Sequence, residues 1–238
     1  MIANDAIIMK MLTERASKIL ESAIQGFIDT GEPISSGWLF DRYNFGIRSA
    51  MIRHELEALS EMGFLEQPHH SAGRIPTDRG YEFFAETVMK QENGSAPGIE
   101  KLARFLEKGA FPDFFEEFSE NLGLAGAVRA KEKVHKGGIE NLIENFDWET
   151  AGEIKSIMRD FVLLEERMEK IADQFISRPS PTVFIGKKSP ITKSEYLTVV
   201  FGSYDGEKGK TSIVAIGPKR MNYKKTIKVL KNLKHARR

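Results

Sequence analysis

Residues 42–81 read RYNFGIRSAMIRHELEALSEMGFLEQPHHSAGRIPTDRGY, and the order of elements in this stretch decides the fold of the N-terminal part. Asn44-Phe45-Gly46 marks a turn. A helix begins near Ser49 and stops at Gly63, a natural residue to follow a helix end, with Ile52, Leu56 and Leu59 recurring on its inward face. Phe64–Gln67 forms a short extended piece ended by Pro68. The small and polar run His69–Gly73 turns the chain, and Arg74–Thr77 brings it back. A further helix carries Tyr81, Phe84 and Val88. Upstream, Thr13 is a plausible N-cap with Glu14 in the first turn. Ala16, Ile19, Leu20, Ala23, Ile24, Phe27 and Ile28 follow at helical spacing until Gly31 and Pro33. Ser35 or Ser36 caps a second, short helix with Trp38, Leu39 and Tyr43. Helix–helix–helix–strand–turn–strand is the order of a winged helix-turn-helix.

A winged helix lays its third helix in the major groove of DNA, with the first residues of that helix reaching base edges. Here those are Arg48, Ser49, Arg53 and His54, off the Ile52–Leu56–Leu59 face; Ser36, at the start of the second helix, joins the candidates. Arginine suits this task because its fork bonds guanine O6 and N7 together, worth about 1–3 kcal/mol of discrimination. The wing supplies His70, Ser71, Gly73 and Arg74, small residues that let backbone N–H groups approach phosphate beside one added charge. Residues 11–90 carry 8 Lys/Arg against 12 Asp/Glu, a balance unlike most DNA binders. Residues 67–76, however, hold Arg74 and two histidines and no carboxylate. Two alternatives stand beside this reading. The unit is a protein-interaction module, or Arg74 pairs with Asp78 and only holds the wing.

The run Gln91–Gly98 is polar, small or helix-breaking throughout and reads as a linker. It separates a domain at residues 1–90 from one at 99–238. Short aromatic-rich helices are expected around Leu102–Leu106 and Phe114–Phe118, and Gly137-Gly138 is a break. Ile154, Ile157, Phe161, Leu164, Met168, Ile171 and Phe175 follow in alternating steps of three and four. A helix laid on a sheet explains that stripe better than a dimer seam. Pro179 and Pro181 end it. Three β-rich runs come next, Thr182–Ile185, Tyr196–Tyr204 and Thr211–Ile216, the last two joined through Tyr204-Asp205-Gly206. After Gly217-Pro218 a basic helix begins near Tyr223 with Ile227 and Leu230 as its apolar pair.

The chain has 238 residues, 41% hydrophobic and 29% charged, and no cysteine. That balance is globular. The missing thiols exclude disulfides, thiolate metal sites and cysteine nucleophiles, and suit a reducing cytoplasm. The run MIANDAIIMKML lacks a basic start and makes a poor signal peptide, and no apolar run approaches a membrane span. Catalytic signatures are missing, and the histidines have no carboxylate at ligand spacing. No enzyme, no cofactor and no metal are therefore expected. A net charge of +1 hides a segregation: residues 186–238 carry 14 Lys/Arg against 3 Asp/Glu. Such a segment implies an anionic partner, an acidic surface in the same molecule, or a solvated lysine-rich helix.

The residues also resemble a known family. LTERASKILESAIQGFIDTGEPISS (12–36), the 42–81 stretch with its highly specific wing phrase Pro68–Tyr81, VHKGGIENLIENFDWE (134–149) and GPKRMNY (217–223) are similar to the heat-inducible transcription repressor HrcA family, in the same order along the chain. The resemblance implies an α+β protein in which a winged helix binds an inverted-repeat operator, CIRCE, upstream of chaperone operons. It also implies a GAF-like C-terminal domain with an inserted dimerisation domain, a homodimer, and activation by the chaperonin GroEL. The chain is much shorter than family members, with the loss falling between about Val128 and Val134, so the C-terminal domain is expected to be a truncated one. Arg48, Met51 and His54 stand where the family pattern has serine, threonine and asparagine, which implies an altered operator preference. The competing function is a regulator whose truncated C-terminal domain senses a protein or small ligand while DNA binding is weak or altered.

Overall fold

The computed structural model describes residues 12–69, 72–91, 94–146, 151–176, 180–207 and 209–236. The N-terminal run read as a poor signal peptide, and the wing residues His70 and Ser71, lie outside the described residues, as do the side chains at 172–176. The chain is a mixed α+β protein that divides into two compact units, residues 1–87 and 88–238.

In the first unit, α1 (Glu14–Thr30) starts where Thr13 accepts the N–H of Ala16 at 3.1 Å and ends at the left-handed Gly31, φ +74°. Ile19, Leu20 and Ile24 are fully buried. Ser35 caps α2 (Ser36–Arg42) by accepting from Trp38 N. Tyr43 lies just past that helix in extended backbone and is exposed. Helix α3 (Ser49–Glu61) buries Ile52, Leu56 and Leu59, and Arg48 is its N-cap residue, without a side-chain cap bond. Strands β1 (Leu65–Glu66) and β2 (Ile75–Pro76) pair antiparallel, Leu65 opposite Pro76. An additional bridge joins Ile34 to Arg74. Thr77 then accepts the N–H of Gly80 as α4 (Asp78–Lys90) begins.

The second unit is built on a five-stranded sheet in the order β4-β3-β7-β6-β5, antiparallel throughout. Strands β5 (Thr182–Ile185), β6 (Leu197–Gly206) and β7 (Gly209–Pro218) fall on the three β-rich runs. Strands β3 (Ala125–Ala130) and β4 (Lys133–Gly137) do not. They form a hairpin across Lys131 and Glu132, with Lys131 at φ +57°, in the very stretch where the sequence reading placed a loss and no strand. Small residues hid β3, which reads Ala-Gly-Ala-Val-Arg-Ala, and lysines and a glycine hid β4, because Ala, Gly and Lys carry little β propensity. The tertiary structure needs small residues at Gly126 and Gly137. A Cβ on Gly126 would meet Phe115 and Phe118 of α6 (Phe111–Leu122) at 3.3 Å, and one on Gly137 would meet Phe115 at 2.8 Å.

Helices cover both faces of this sheet, the layered solution for a sheet apolar on two sides. On one face, Ile157, Leu164 and Met168 pack with Ala127, Val199, Phe201 and Val214. Ile157, Phe161, Leu164, Met168 and Ile171 of the heptad stripe thus cover the sheet, while Ile154 stays exposed. The stripe lies on two helices, α8 (Ala151–Val162) and α9 (Leu164–Ile176), and not on the single helix that its spacing predicts. Between α6 and α8, α7 (Ile139–Glu144) adds Leu142 to the same core. The buried Asp160 fixes the α8–α9 junction. It accepts from Arg167 at 2.5 Å and from the N–H groups of Lys193 and Ser194 at 2.8 and 2.7 Å, so the chain between β5 and β6 is clasped to the helices.

On the other face, α10 (Tyr223–His235) lies on β6, where Gly202 leaves room for Leu230. Two of its lysines reach backbone carbonyls. Lys225 donates to Asn121 O near the end of α6, and Lys231 donates to Met89 O and Gln91 O at 2.6 and 3.1 Å. Carbonyls at the C-terminal end of a helix carry partial negative charge and lack intrahelical donors; these lysines supply them. Asn232 bonds Ala96 N and Gly94 O, so residues of the run read as a linker are held against α10. Before α6, α5 (Ile99–Lys108) adds Leu102 and Leu106 to the buried set. No helix among the described residues is long and apolar enough to cross a membrane.

Candidate nucleic-acid interface

The expected base-reading residues occupy the outward side of α3. Burial of Ile52, Leu56 and Leu59 fixes the rotation of the helix, which leaves Arg48, Arg53 and His54 exposed and Ser49 half-buried. Ser49 Oγ and Ser36 Oγ lie 3.3 Å apart, which ties the first turns of α3 and α2 together. The Arg53 side chain is 75% exposed, and its Nε donates to Glu57 at 3.3 Å. His54 Nδ1 approaches the other oxygen of Glu57 at 3.5 Å. Glu57 therefore holds both groups on one side of the helix. Sequence reasoning passed over it, although its spacing of four from Arg53 and three from His54 is the signal that finds such pairs. Behind the helix, Arg15 donates Nε and Nη2 to Glu55 at 3.1 and 3.0 Å, pinning α1 to α3.

A cleft of about 440 Å³ brings Ser36, Arg53, Gly73 and Arg74 together with Gln67 and Ala72. On its wing side the N–H of Arg74 donates to Ile34 O at 2.8 Å, and the N–H of Ala72 goes to His69 O at 2.8 Å. Packing also requires Gly73 to be small. A Cβ there would stand 2.5 Å from the backbone carbonyl of Ile34 and 2.6 Å from Pro33 O, so the glycine is required by the strand lying against the α1–α2 connection. The Arg74 side chain donates Nε to Ser60 Oγ of α3 at 3.0 Å. Gln67 Nε2 closes the turn by donating to Ala72 O at 2.9 Å. Met51, 48% exposed, adds an apolar surface to the α3 face. It stood out in the sequence only as a departure from a pattern. Among the described residues no cluster of three or more metal-ligating side chains occurs.

Comparison with known proteins agrees with the sequence resemblance. Residues 91–227 match the family model of the HrcA protein C terminal domain. Over 88 residues the chain is 47% identical to the heat-inducible transcription repressor HrcA of Thermoanaerobacter sp. (strain X514), a match covering 37% of this chain and 26% of that protein. Over 102 residues it is 45% identical to the same repressor of Caldanaerobacter subterraneus subsp. tengcongensis, covering 40% and 30%. The matched stretch thus spans under a third of the length of these curated relatives. Their name is that of a regulator and not of a catalyst. A crystal structure of a hypothetical protein at 2.2 Å shares the fold, with a TM-score of 0.71 at 18% identity over 95% of this chain and 96% of that one. The family match covers more than half of the chain, including the whole five-stranded sheet and the Gly217–Tyr223 run, and the chain therefore belongs to the HrcA family.

Proposed function

We propose that residues 1–90 form a winged helix that reads duplex DNA, with α3 in the major groove and the β1–β2 wing beside it. In this reading the chain is a sequence-specific repressor of heat-shock chaperone operons, acting in the cytoplasm on an inverted-repeat operator of the CIRCE type. Residues 99–238 serve as a shortened GAF-like regulatory and dimerisation domain, with the chaperonin GroEL as the partner that promotes the active form. One observation carries it: a helix whose inner face is fully buried presents Arg48, Arg53 and His54 outward from its first turns, beside the cleft holding Arg74. A gel shift with an inverted-repeat operator and a scrambled duplex of equal length tests it. Preference for the operator supports it; equal affinity for both duplexes overturns it.

Within this reading Arg74 contacts phosphate or the minor groove, because among the described residues its guanidinium engages Ser60 through Nε alone. Arg74→Ala is expected to weaken operator and random DNA alike and to lower the slope of log affinity against log salt by about one. An unchanged slope with a lowered unfolding midpoint means that Arg74 serves Ser60 alone.

An inverted repeat calls for a two-fold protein. The buried heptad residues Ile157, Leu164 and Met168 are spent on the sheet and provide no seam. The apolar surface left on α8 is Ile154, Met158 and Val162, 40%, 37% and 65% exposed and one turn apart. We infer that it contributes to a weak dimer completed on DNA. Sedimentation of the chain with and without operator is expected to show two chains per operator. One chain per operator overturns the dimer.

A further inference from the structure

We propose that the second unit carries a binding site for a small planar organic anion, in a cavity at the turn end of the β3–β4 hairpin. The site is independent of the DNA-binding reading. The cavity holds about 640 Å³, within the range of small-ligand pockets. Leu106, Phe111 and His135 give it an apolar and aromatic wall. The Phe111 and His135 rings are stacked, with centroids 4.0 Å apart and planes 21° from parallel. A flat ring system entering beside such a pair extends the stack, which favours aromatic over branched aliphatic ligands.

Charge decides the other half of the ligand. Lys131, Lys133 and Lys210 stand around the same cavity. The hairpin turn places two of them: Lys131 takes the left-handed conformation, φ +57°, and Lys133 opens β4 beside Ala130 of β3. Two carboxylates also line the cavity. Glu107 is engaged, accepting from Tyr204 OH at 2.8 Å and from Glu207 N at 3.1 and 3.3 Å. Glu132 sits exposed at the turn itself. Three ammonium groups against two carboxylates leave the rim of the cavity net positive, which favours a ligand with an anionic group, and Thr211 adds a hydroxyl beside them. The chemistry is that of an aromatic carboxylate, sulfonate or phosphate ester: ring against Phe111 and His135, anion among the lysines.

The probe is 1-anilinonaphthalene-8-sulfonate, titrated into the full chain by calorimetry and fluorescence, beside its uncharged analogue N-phenyl-1-naphthylamine. The expected result is one saturable site per chain, with the anion bound at least tenfold tighter than the neutral analogue. Lys131→Glu/Lys133→Glu alters exposed side chains on the turn and is expected to weaken the anion at least tenfold. Lys155→Glu/Lys193→Glu makes the same change of net charge on exposed residues elsewhere and is expected to leave binding unaltered. Circular dichroism of both variants checks that they fold. Equal affinity for anion and neutral analogue, several weak sites in place of one, or equal loss in both double variants overturns the proposal.

Discussion

Gly80→Ala is expected to destabilise the first unit by about 3 kcal/mol, the upper part of the range for overpacking. The sign is the informative part. Replacing a helical glycine by alanine ordinarily stabilises by about 1 kcal/mol, because glycine has more backbone freedom to lose. At Gly80 the added Cβ would lie 2.3 Å from Phe64 O and 3.5 Å from Pro76 Cβ. The nearest atom belongs to backbone, which cannot rotate out of the way as a side-chain tip can. Phe64 O also accepts the N–H of Thr77 at 3.1 Å, so relieving the clash breaks the junction of β1 with the start of α4. Gly37→Ala is the control. Its Cβ meets nothing nearer than Ser35 Oγ at 3.8 Å, and this substitution in α2 is expected to stabilise by about 0.5–1 kcal/mol. A chain of two compact units need not unfold in one step. Hydrogen exchange of the α1 amides is therefore the readout, and faster exchange in the Gly37 variant or unchanged exchange in the Gly80 variant would contradict the packing described.

Arg53→Ala is expected to lower operator affinity by about 1–3 kcal/mol, roughly five- to 150-fold, and to relax specificity at one base position. The folded state should hardly register the change. Arg53 is 75% exposed and its pair with Glu57 is a surface contact four residues along the helix, a class worth about 0.3–0.5 kcal/mol. The binding effect thus exceeds anything the lost pair causes by itself. Quantitative gel shifts on the operator, on operators altered base by base and on random duplex separate the cases. An equal fall on operator and random DNA would move Arg53 from bases to phosphates and leave base reading to Arg48, Ser49 and His54.

The sequence by itself determined the elements whose causes are local. Thr13 and Ser35 cap helices because a hydroxyl at that position meets free N–H groups two or three residues on. The spacing of Ile52, Leu56 and Leu59 settles which side of α3 is buried, and hence which side shows Arg53 and His54. Runs rich in branched residues mark β5, β6 and β7. Tertiary structure decided what depends on residues far apart in the chain. Gly126 of β3 and Gly137 of β4 are small because Phe115 and Phe118 press on the hairpin, so these positions record a partner and not a strand. The stripe from Ile154 to Met168 has coiled-coil spacing, yet the chain breaks at Leu163, where Asp160 and Arg167 clasp the loop before β6. Gly73 and Arg74 stand side by side in a phrase that looks devoted to a ligand. Ile34 and Ser60, thirty-nine positions before the one and fourteen before the other, claim part of that pair for the fold itself. Lys225 and Lys231 on α10 find helix-end carbonyls, a choice that charge counting along the chain does not contain, because backbone dipoles carry no letter in the sequence.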